Sequence, residues 1–215
     1  MPRIPVVERI MKANDDVAAS NRQLLDEHGV HAVNILAAPG AGKTSVILAV
    51  AAALKGKCRV GVIEGDLASD IDSRKVRMAG LPVYQINTGG ECHLDANQVR
   101  VALDQLPLDE IDLLFIENVG NLICPVEFAL GEHTRLAISS VPEGDDKPYK
   151  YPPVFANVDV LALNKADLLP FMPFDVAEFE RVVRTLNPEI AFFTVSSTKG
   201  TGIPALADWL AALAR

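Results

Sequence analysis

The sequence predicts an α/β fold, a mostly parallel sheet of about seven strands flanked by helices. Two observations carry this. Short apolar runs recur along the chain, separated by segments long enough for crossover helices, and most of the runs are apolar at successive positions instead of alternating, the pattern of strands covered on both faces. The 215 residues, 49% of them apolar, suit one sizeable core and about one domain, 1–215, at the usual ~100–200 residues per domain.

Residues 6–25 set Val7, Ile10, Met11, Val17, Leu24 and Leu25 at three- and four-residue spacings, with Glu8, Lys12, Asp15, Asp16 and Arg22 on other faces. An amphipathic helix of about 5–28 therefore leads the chain and ends near Gly29. Strand candidates follow at 31–36, 59–63, 83–86, 113–116, 136–140, 158–163 and 191–195. Helices are expected at 43–54, 72–79, 95–106, 176–186 and 205–213, and the Pro- and charge-rich stretch 142–153 reads as a loop within the domain. Sheets of this kind bind ligands at the carboxyl ends of their strands.

Composition excludes several classes of function. With 20 Lys plus Arg against 28 Asp plus Glu, the net charge of −8 offers no basic field for a nucleic-acid backbone. The longest apolar run, 46–54, falls short of the ~20 residues that span a bilayer, and charges every few residues at the amino terminus take the place of a signal-peptide core. A cytoplasmic protein with no membrane partner is expected. Three cysteines, Cys58, Cys92 and Cys124, are an odd number for a disulfide framework and leave metal or redox chemistry open.

Directly after the first strand comes Ala37-Ala38-Pro39-Gly40-Ala41-Gly42-Lys43-Thr44, then a helix. This is the phosphate-loop pattern G-x-x-x-x-G-K-[ST], with Ala37 at the first glycine position. The substitution is harmless if Ala37 keeps a negative φ, because the chemistry lies further on. Backbone N–H groups of Gly40, Ala41, Gly42, Lys43, Thr44 and Ser45 form an anion nest, Lys43 reaches the outer phosphates, and the Thr44 hydroxyl is placed for Mg²⁺.

The sixth strand candidate ends in Asn164-Lys165-Ala166-Asp167, the N-K-x-D guanine pattern. A carboxylate at Asp167 accepts both N–H donors on guanine's Watson–Crick edge, so GTP is the expected nucleotide. Lys165 lays its stem over the base, and Ser196 and Ser197, after the last strand, are placed to offer a backbone N–H to the guanine oxygen. Two further strands end in acids, Glu64-Gly65-Asp66 and Glu117-Asn118-Val119-Gly120. Asp66 and Glu117 are the Mg²⁺ candidates, and with Lys43 the catalytic ones; Gly120 is placed to meet the terminal phosphate. Glu64 and Asp70 read as solvated strand-end acids. No glutamine or arginine stands out to position water or neutralise charge, so slow turnover is expected, on the order of 10⁻³ to 10⁻² s⁻¹.

Cys92-His93 and Cys124 also lie in loops after strands, on the same face. Two thiols and an imidazole make a soft set suited to Ni²⁺ or Zn²⁺. Alone, the pattern reads more readily as inert buried cysteines, and Cys58 takes that reading. His28 and His31 read as a helix-end and strand-start pair, and His133 as an exposed helix residue.

Taken together, the phosphate loop, Glu64-Gly65-Asp66, residues 85–89 leading into Cys92-His93-Leu94-Asp95, the run from Glu117 to Pro125, Glu143-Gly144-Asp145-Asp146-Lys147-Pro148 and Asn164-Lys165-Ala166-Asp167 resemble the HypB family. These are GTPases that help insert nickel into nickel–iron hydrogenases. The likeness begins in the leading helix, where Asn21-Arg22 resembles the family's asparagine–arginine stretch, and runs to the carboxyl terminus. It implies the fold of the dimeric SIMIBI-type GTPases, with Cys92, His93 and Cys124 as ligands for Ni²⁺ or Zn²⁺ at a homodimer interface. It also implies accessory proteins and a hydrogenase large-subunit precursor as partners. Ala37 departs from the family pattern, as does the lack of the cysteine-rich and histidine-rich stretches that some members carry near the amino terminus. Rival readings are a urease-maturation GTPase like UreG, which would show Cys-Pro-His, and a non-catalytic scaffold that binds metal in response to GTP. A partitioning ATPase needs an early signature lysine in the phosphate loop and no N-K-x-D.

Overall fold

The computed structural model describes residues 6–66 and 70–214, with residues 6–10 described as helix backbone only. Strands β1 (His31–Ala37), β2 (Val60–Asp66), β3 (Val83–Asn87), β4 (Leu113–Glu117), β5 (Thr134–Ser140), β6 (Val160–Asn164) and β7 (Ala191–Thr194) form one sheet in the order β3-β2-β4-β1-β5-β6-β7. Every pairing is parallel. β1, β2, β4, β5 and β6 are buried along almost their whole length, as their unbroken apolar runs predict, while the edge strands β3 and β7 are only half-buried. The strands outlast their apolar runs at the carboxyl end. Glu64, Gly65, Asp66, Asn87, Glu117 and Asn164 remain in the ladder, so polar residues are delivered on rigid strand ends.

Helices α2 (Lys43–Ala53), α3 (Ile71–Met78) and α8 (Ile203–Leu213) cover one face. There Val33 and Ile35 of β1 join Ile47, Val50, Leu206 and Leu210 in one apolar cluster. The other face is covered by α1 (Val6–Glu27), α4 (Ala96–Leu103), α6 (Pro152–Ala156) and α7 (Val176–Leu186) in two clusters, one around Leu25, Leu103 and Leu114, the other around Leu36, Phe155 and Phe179. Stretch 142–153 is not a plain loop: it folds into a 3₁₀ turn at Val141–Glu143, a one-turn α5 (Lys147–Lys150) and the start of α6. Pro148 and Pro152 open these helices, where a preset φ and a missing N–H do no harm. Among the described residues, no helix is long and apolar enough to cross a membrane.

The leading helix forms, but its buried face differs from the expected stripe. The side chains of Val7 and Ile10 lie outside the described residues, as does the start of the expected range at residue 5. Among the described positions of the helix, the buried ones are Asn14, Ala18, Asn21 and Leu25, a 3.6-residue stripe that is half polar. Asn14 donates to Ala129 O (2.8 Å) and accepts from Ala96 N–H (2.9 Å), while Asn21 donates to Ala96 O (2.8 Å) and Leu130 O (3.0 Å). Arg22 Nε donates to Gly131 O at 2.9 Å. The helix is thus bolted down through amides that satisfy loop backbone, which apolar periodicity cannot reveal.

The histidines are corrected in one case. His28 and His31 are the helix-end and strand-start pair expected, bonded to Asp109 (2.7 Å) and Thr134 (2.8 Å). His133 is neither helical nor exposed. It precedes β5, stacks on His31 with ring centroids 4.7 Å apart, accepts Ala32 N–H and pairs with Asp26 at 2.8 Å.

Candidate nucleotide and metal site

β1 lies between β4 and β5 at the point where the chain switches sides, which opens a crevice at the strand carboxyl ends. The loop from Ala38 to Gly42 occupies it, with Gly40 and Gly42 at φ 78° and 98°. Gly42 is required twice over, since that φ is left-handed and a Cβ there would meet Asn164 Nδ2 at 2.5 Å. Gly42 also caps α2, so the first N–H groups of that helix point at the loop's concavity. Ala37 ends β1, buried and without positive φ, so the glycine is dispensable there.

Glu117, at the end of β4, is buried behind this loop. Thr44 Oγ1 donates to its Oε1 at 3.0 Å, and Lys43 Nζ stands 3.8 Å from the same oxygen. Strand register sets Glu64 of β2 directly opposite. Glu64 is therefore not the solvated acid its strand-end position suggested: it is 2% exposed, and its pKa is pushed up to about 10, first by burial and then by the Glu117 charge, with a hydrogen bond between the two carboxyls. Burial also raises Glu117, opposed by the bond from Glu64, the Lys43 charge and the Thr44 hydroxyl. Burial raises both carboxyls, so the pair holds on to a proton between them. Asp70 keeps the bland role, bonded to exposed Arg74 at 2.6 Å.

Glu64, Asp66 and Glu117 line one cavity of about 200 Å³ with Lys43, Pro39 and Gly120. Glu64 Oε2 and Glu117 Oε2 are buried there with no hydrogen-bond partner. Orphaned carboxylate oxygens beside a threonine hydroxyl are a donor set that fits a hard divalent cation such as Mg²⁺.

The base side is assembled from three segments. Asn164, fully buried, donates to Ala41 O (3.0 Å) and accepts Ser197 N–H (3.1 Å), joining the phosphate loop to the β7–α8 loop. Lys165 is the one non-glycine residue with positive φ (60°) among those described, and its Nζ reaches Gly40 O at 2.7 Å, which draws its stem across the site. Asp167 accepts the Ser196 hydroxyl at 2.6 Å, which holds its carboxyl below the usual range and so ionised as an acceptor. The backbone N–H groups of Ser196 and Ser197 are bonded to Thr201 O and Asn164 Oδ1. Both serines therefore act through Asp167 and Asn164 instead of presenting those N–H groups to a base.

The two cysteine loops do converge. One ligand atom each from Cys92, His93 and Cys124 lies within 4.8 Å of the others, with Cys92 Sγ 3.5 Å from His93 Nδ1. The hydrogen bond with the neighbouring Cys124 thiol raises the Cys92 pKa. Phe128 stacks on His93 with ring centroids 4.0 Å apart, and Asp95 caps α4 in a capping box with Gln98, which closes the first loop. Two thiols and an imidazole suit nickel or zinc, and three ligands leave a fourth position open. Cys58 lies apart from this cluster, packed against the α2/α8 core as expected but only half-buried. Asn118, Asn121 and Phe128 also shape the site and went unassigned in the sequence, and Glu64 was read there as a solvated acid. Only Glu64 carried a signal, an acid within an apolar strand.

A phosphate loop at a sheet switch point, followed by a guanine-type pocket, defines a P-loop nucleotide-binding protein of the SIMIBI type. Residues 31–194 match the family model described as CobW/HypB/UreG, nucleotide-binding domain. The hydrogenase maturation factor HypB of Escherichia coli K12 is 42% identical over 94% of this chain and 69% of its own length. The probable HypB of Methanocaldococcus jannaschii is 41% identical over 92% and 90%. A crystal structure of HypB from Helicobacter pylori in complex with nickel superposes with a TM-score of 0.90 at 34% identity, covering 94% of this chain and 95% of that one. A LAO/AO transport system kinase, 15% identical with a TM-score of 0.59, shares the fold alone. The chain belongs to the CobW/HypB/UreG family and, within it, to the HypB hydrogenase maturation factors.

Two outcomes are expected from this geometry. Asp167→Asn exchanges a charge-assisted acceptor for an amide, worth about 1.5–3 kcal/mol, so GTP affinity falls roughly 10- to 150-fold while xanthosine triphosphate is relatively favoured. Competition binding with the two nucleotides reads this directly, and unchanged GTP affinity removes the guanine assignment. The second concerns Glu64 without nucleotide or magnesium. Its folded pKa of about 10 lies above the ordinary 4.5, so the folded state holds a proton that the unfolded state has lost. Its contribution to stability is full below about 4.5 and declines as pH rises through about 10. Glu64→Gln, neutral throughout, should flatten that decline in urea unfolding between pH ~5 and ~9; parallel profiles for the two proteins refute the shared proton.

Proposed function

We propose that this chain, as one domain over 1–215, is a cytoplasmic GTP hydrolase that serves as a nickel metallochaperone in nickel–iron hydrogenase maturation. The single observation that carries this reading is the position of the metal cluster. Cys124 lies seven residues beyond Glu117, on the same loop as Gly120, so the segment facing the terminal phosphate also carries a metal ligand. Adjacent Cys92-His93, in place of Cys-Pro-His, favours hydrogenase over urease maturation.

In this reading GTP and water yield GDP and phosphate. Gly40 to Ser45 cradle the phosphates, Lys43 neutralises their charge, Gly120 offers its N–H to the terminal phosphate, and Asn164, Lys165, Asp167, Ser196 and Ser197 form the base pocket. Thr44, Asp66 and Glu117 would hold Mg²⁺, which supplies further positive charge to the phosphates when bound. Turnover is slow, since among the described residues no arginine or glutamine lines the cavity that Lys43 shares with Glu64, Asp66 and Glu117. Nickel, or zinc in its place, is the cargo. One chain contributes three ligands, and a homodimer presenting the same loops twice completes the coordination. Accessory maturation proteins and the hydrogenase large-subunit precursor are the partners.

The test is nickel titrated by calorimetry into GDP-bound and GTP-analogue-bound protein. Linkage requires each ligand to tighten the other equally, with an expected coupling of ~1–3 kcal/mol, roughly five- to 150-fold. Cys124→Ala should lose nickel and coupling yet keep GTP affinity, whereas Cys58→Ala should change neither. Equal affinities in the two nucleotide states reject the switch. Sedimentation should show a dimer with GTP analogue, Mg²⁺ and nickel present, and a monomer under those conditions rejects the shared site.

A further inference from the structure

Asn121 makes three connections. Its backbone forms an antiparallel bridge with Ala37 at the end of β1, and a Cβ on the preceding Gly120 would stand 3.0 Å from Pro39 Cα, so residues 120–121 lie flat against the phosphate loop. Its side-chain oxygen accepts Ile123 N–H at 2.9 Å, which shapes the turn that carries Cys124. Its side-chain nitrogen donates to the carbonyl oxygen of Cys92 at 3.2 Å. One half-buried side chain therefore grips both loops of the metal cluster while its main chain touches the nucleotide loop.

The base of the two loops is held separately. Asn118, fully buried, accepts N–H groups from Leu94 (3.0 Å) and Val119 (2.9 Å) and donates to Asn34 (3.2 Å), which in turn bonds Glu132. That network anchors the roots. It leaves the Cys92 end of the β3–α4 loop, where Gly89 and Gly90 both take positive φ, dependent on contacts further out. Without the bond to Cys92, a shift of segment 117–124 reaches the other loop only through Asn118 at Leu94, two residues beyond Cys92, and the spacing of the two sulfurs changes. With it, the shift is passed to the main chain at Cys92.

We propose that Asn121 is the positioning residue that couples the phosphate loop to the metal cluster, through its hydrogen bond to the Cys92 carbonyl. The inference rests on the nucleotide–nickel coupling proposed above and names the contact that transmits it. It assigns the effect to the Cys92 bond and not to the turn at Ile123, and the two can be told apart. Asn121→Asp keeps an acceptor for Ile123 N–H but has no donor for Cys92 O; Asn121→Ala loses both.

The experiment measures nickel affinity of the full chain in GDP-bound and GTP-analogue-bound forms, followed by the thiolate-to-nickel charge-transfer absorption. Wild type should show a ratio of roughly five- to 150-fold, and both variants a ratio within about twofold of unity, with the absorption band and analogue affinity retained. A wild-type ratio in Asn121→Asp overturns the proposal, including the case where Asn121→Ala alone loses it, since the turn would then carry the effect. Loss of the band in both variants overturns it as well, because Asn121 would then build the site instead of coupling it. Equal nickel affinities in the two wild-type states remove the coupling reading itself, a failure distinct from that of Asn121.

Discussion

A buried carboxylate must find positive charge or hydrogen-bond donors, and the arrangement around Glu117 follows from that constraint. The sheet places β4 between β1 and β2, so this side chain stands where the phosphate loop and the second acidic strand end meet. It takes the Thr44 hydroxyl and the Lys43 ammonium from one neighbour and shares a proton with Glu64 from the other. The start of α2 is thereby pinned to the sheet before any nucleotide arrives. Oxygens of both acids stay unbonded in the same cavity, which leaves the cluster with a capacity for one more positive charge. From Glu117 the chain needs only seven residues to reach Cys124.

Asparagines do the work that apolar packing does elsewhere. A carboxamide carries donors and an acceptor and no net charge, so it can satisfy loop backbone on two sides at low desolvation cost. Asn14 and Asn21 tie α1 to Ala96 and to the 129–130 segment that follows Phe128, the ring stacked on His93. Asn34 and Asn118 run a buried polar line from Glu132 through the sheet to the root of the cysteine loop. Asn164 joins the phosphate loop to the loop after β7. Irregular segments that would otherwise be free to drift are held at single atoms, and the nucleotide and metal faces become one connected surface.

What could be read from the amino-acid sequence alone was whatever depends on near neighbours along the chain. Apolar runs announced strands covered on both faces. Gly40, Gly42, Lys43 and Thr44 announced a glycine loop opening a helix, and Asn164 to Asp167 a polar turn at a strand end, because each set is shaped within one turn of backbone. The tertiary structure decided what depends on strand order and register, which local spacing does not encode. It set Glu64 opposite Glu117, turning an apparent solvent-facing acid into a buried partner whose pKa is raised. It brought Cys124 to Cys92 and His93 across 32 and 31 residues of chain. It also chose the face of α1, burying Asn14 and Asn21 because the helix lies over unsatisfied loop backbone, and it drew His133 inward onto His31. Periodicity reports which side of an element is apolar; the partners waiting on the other side exist only once the sheet has closed.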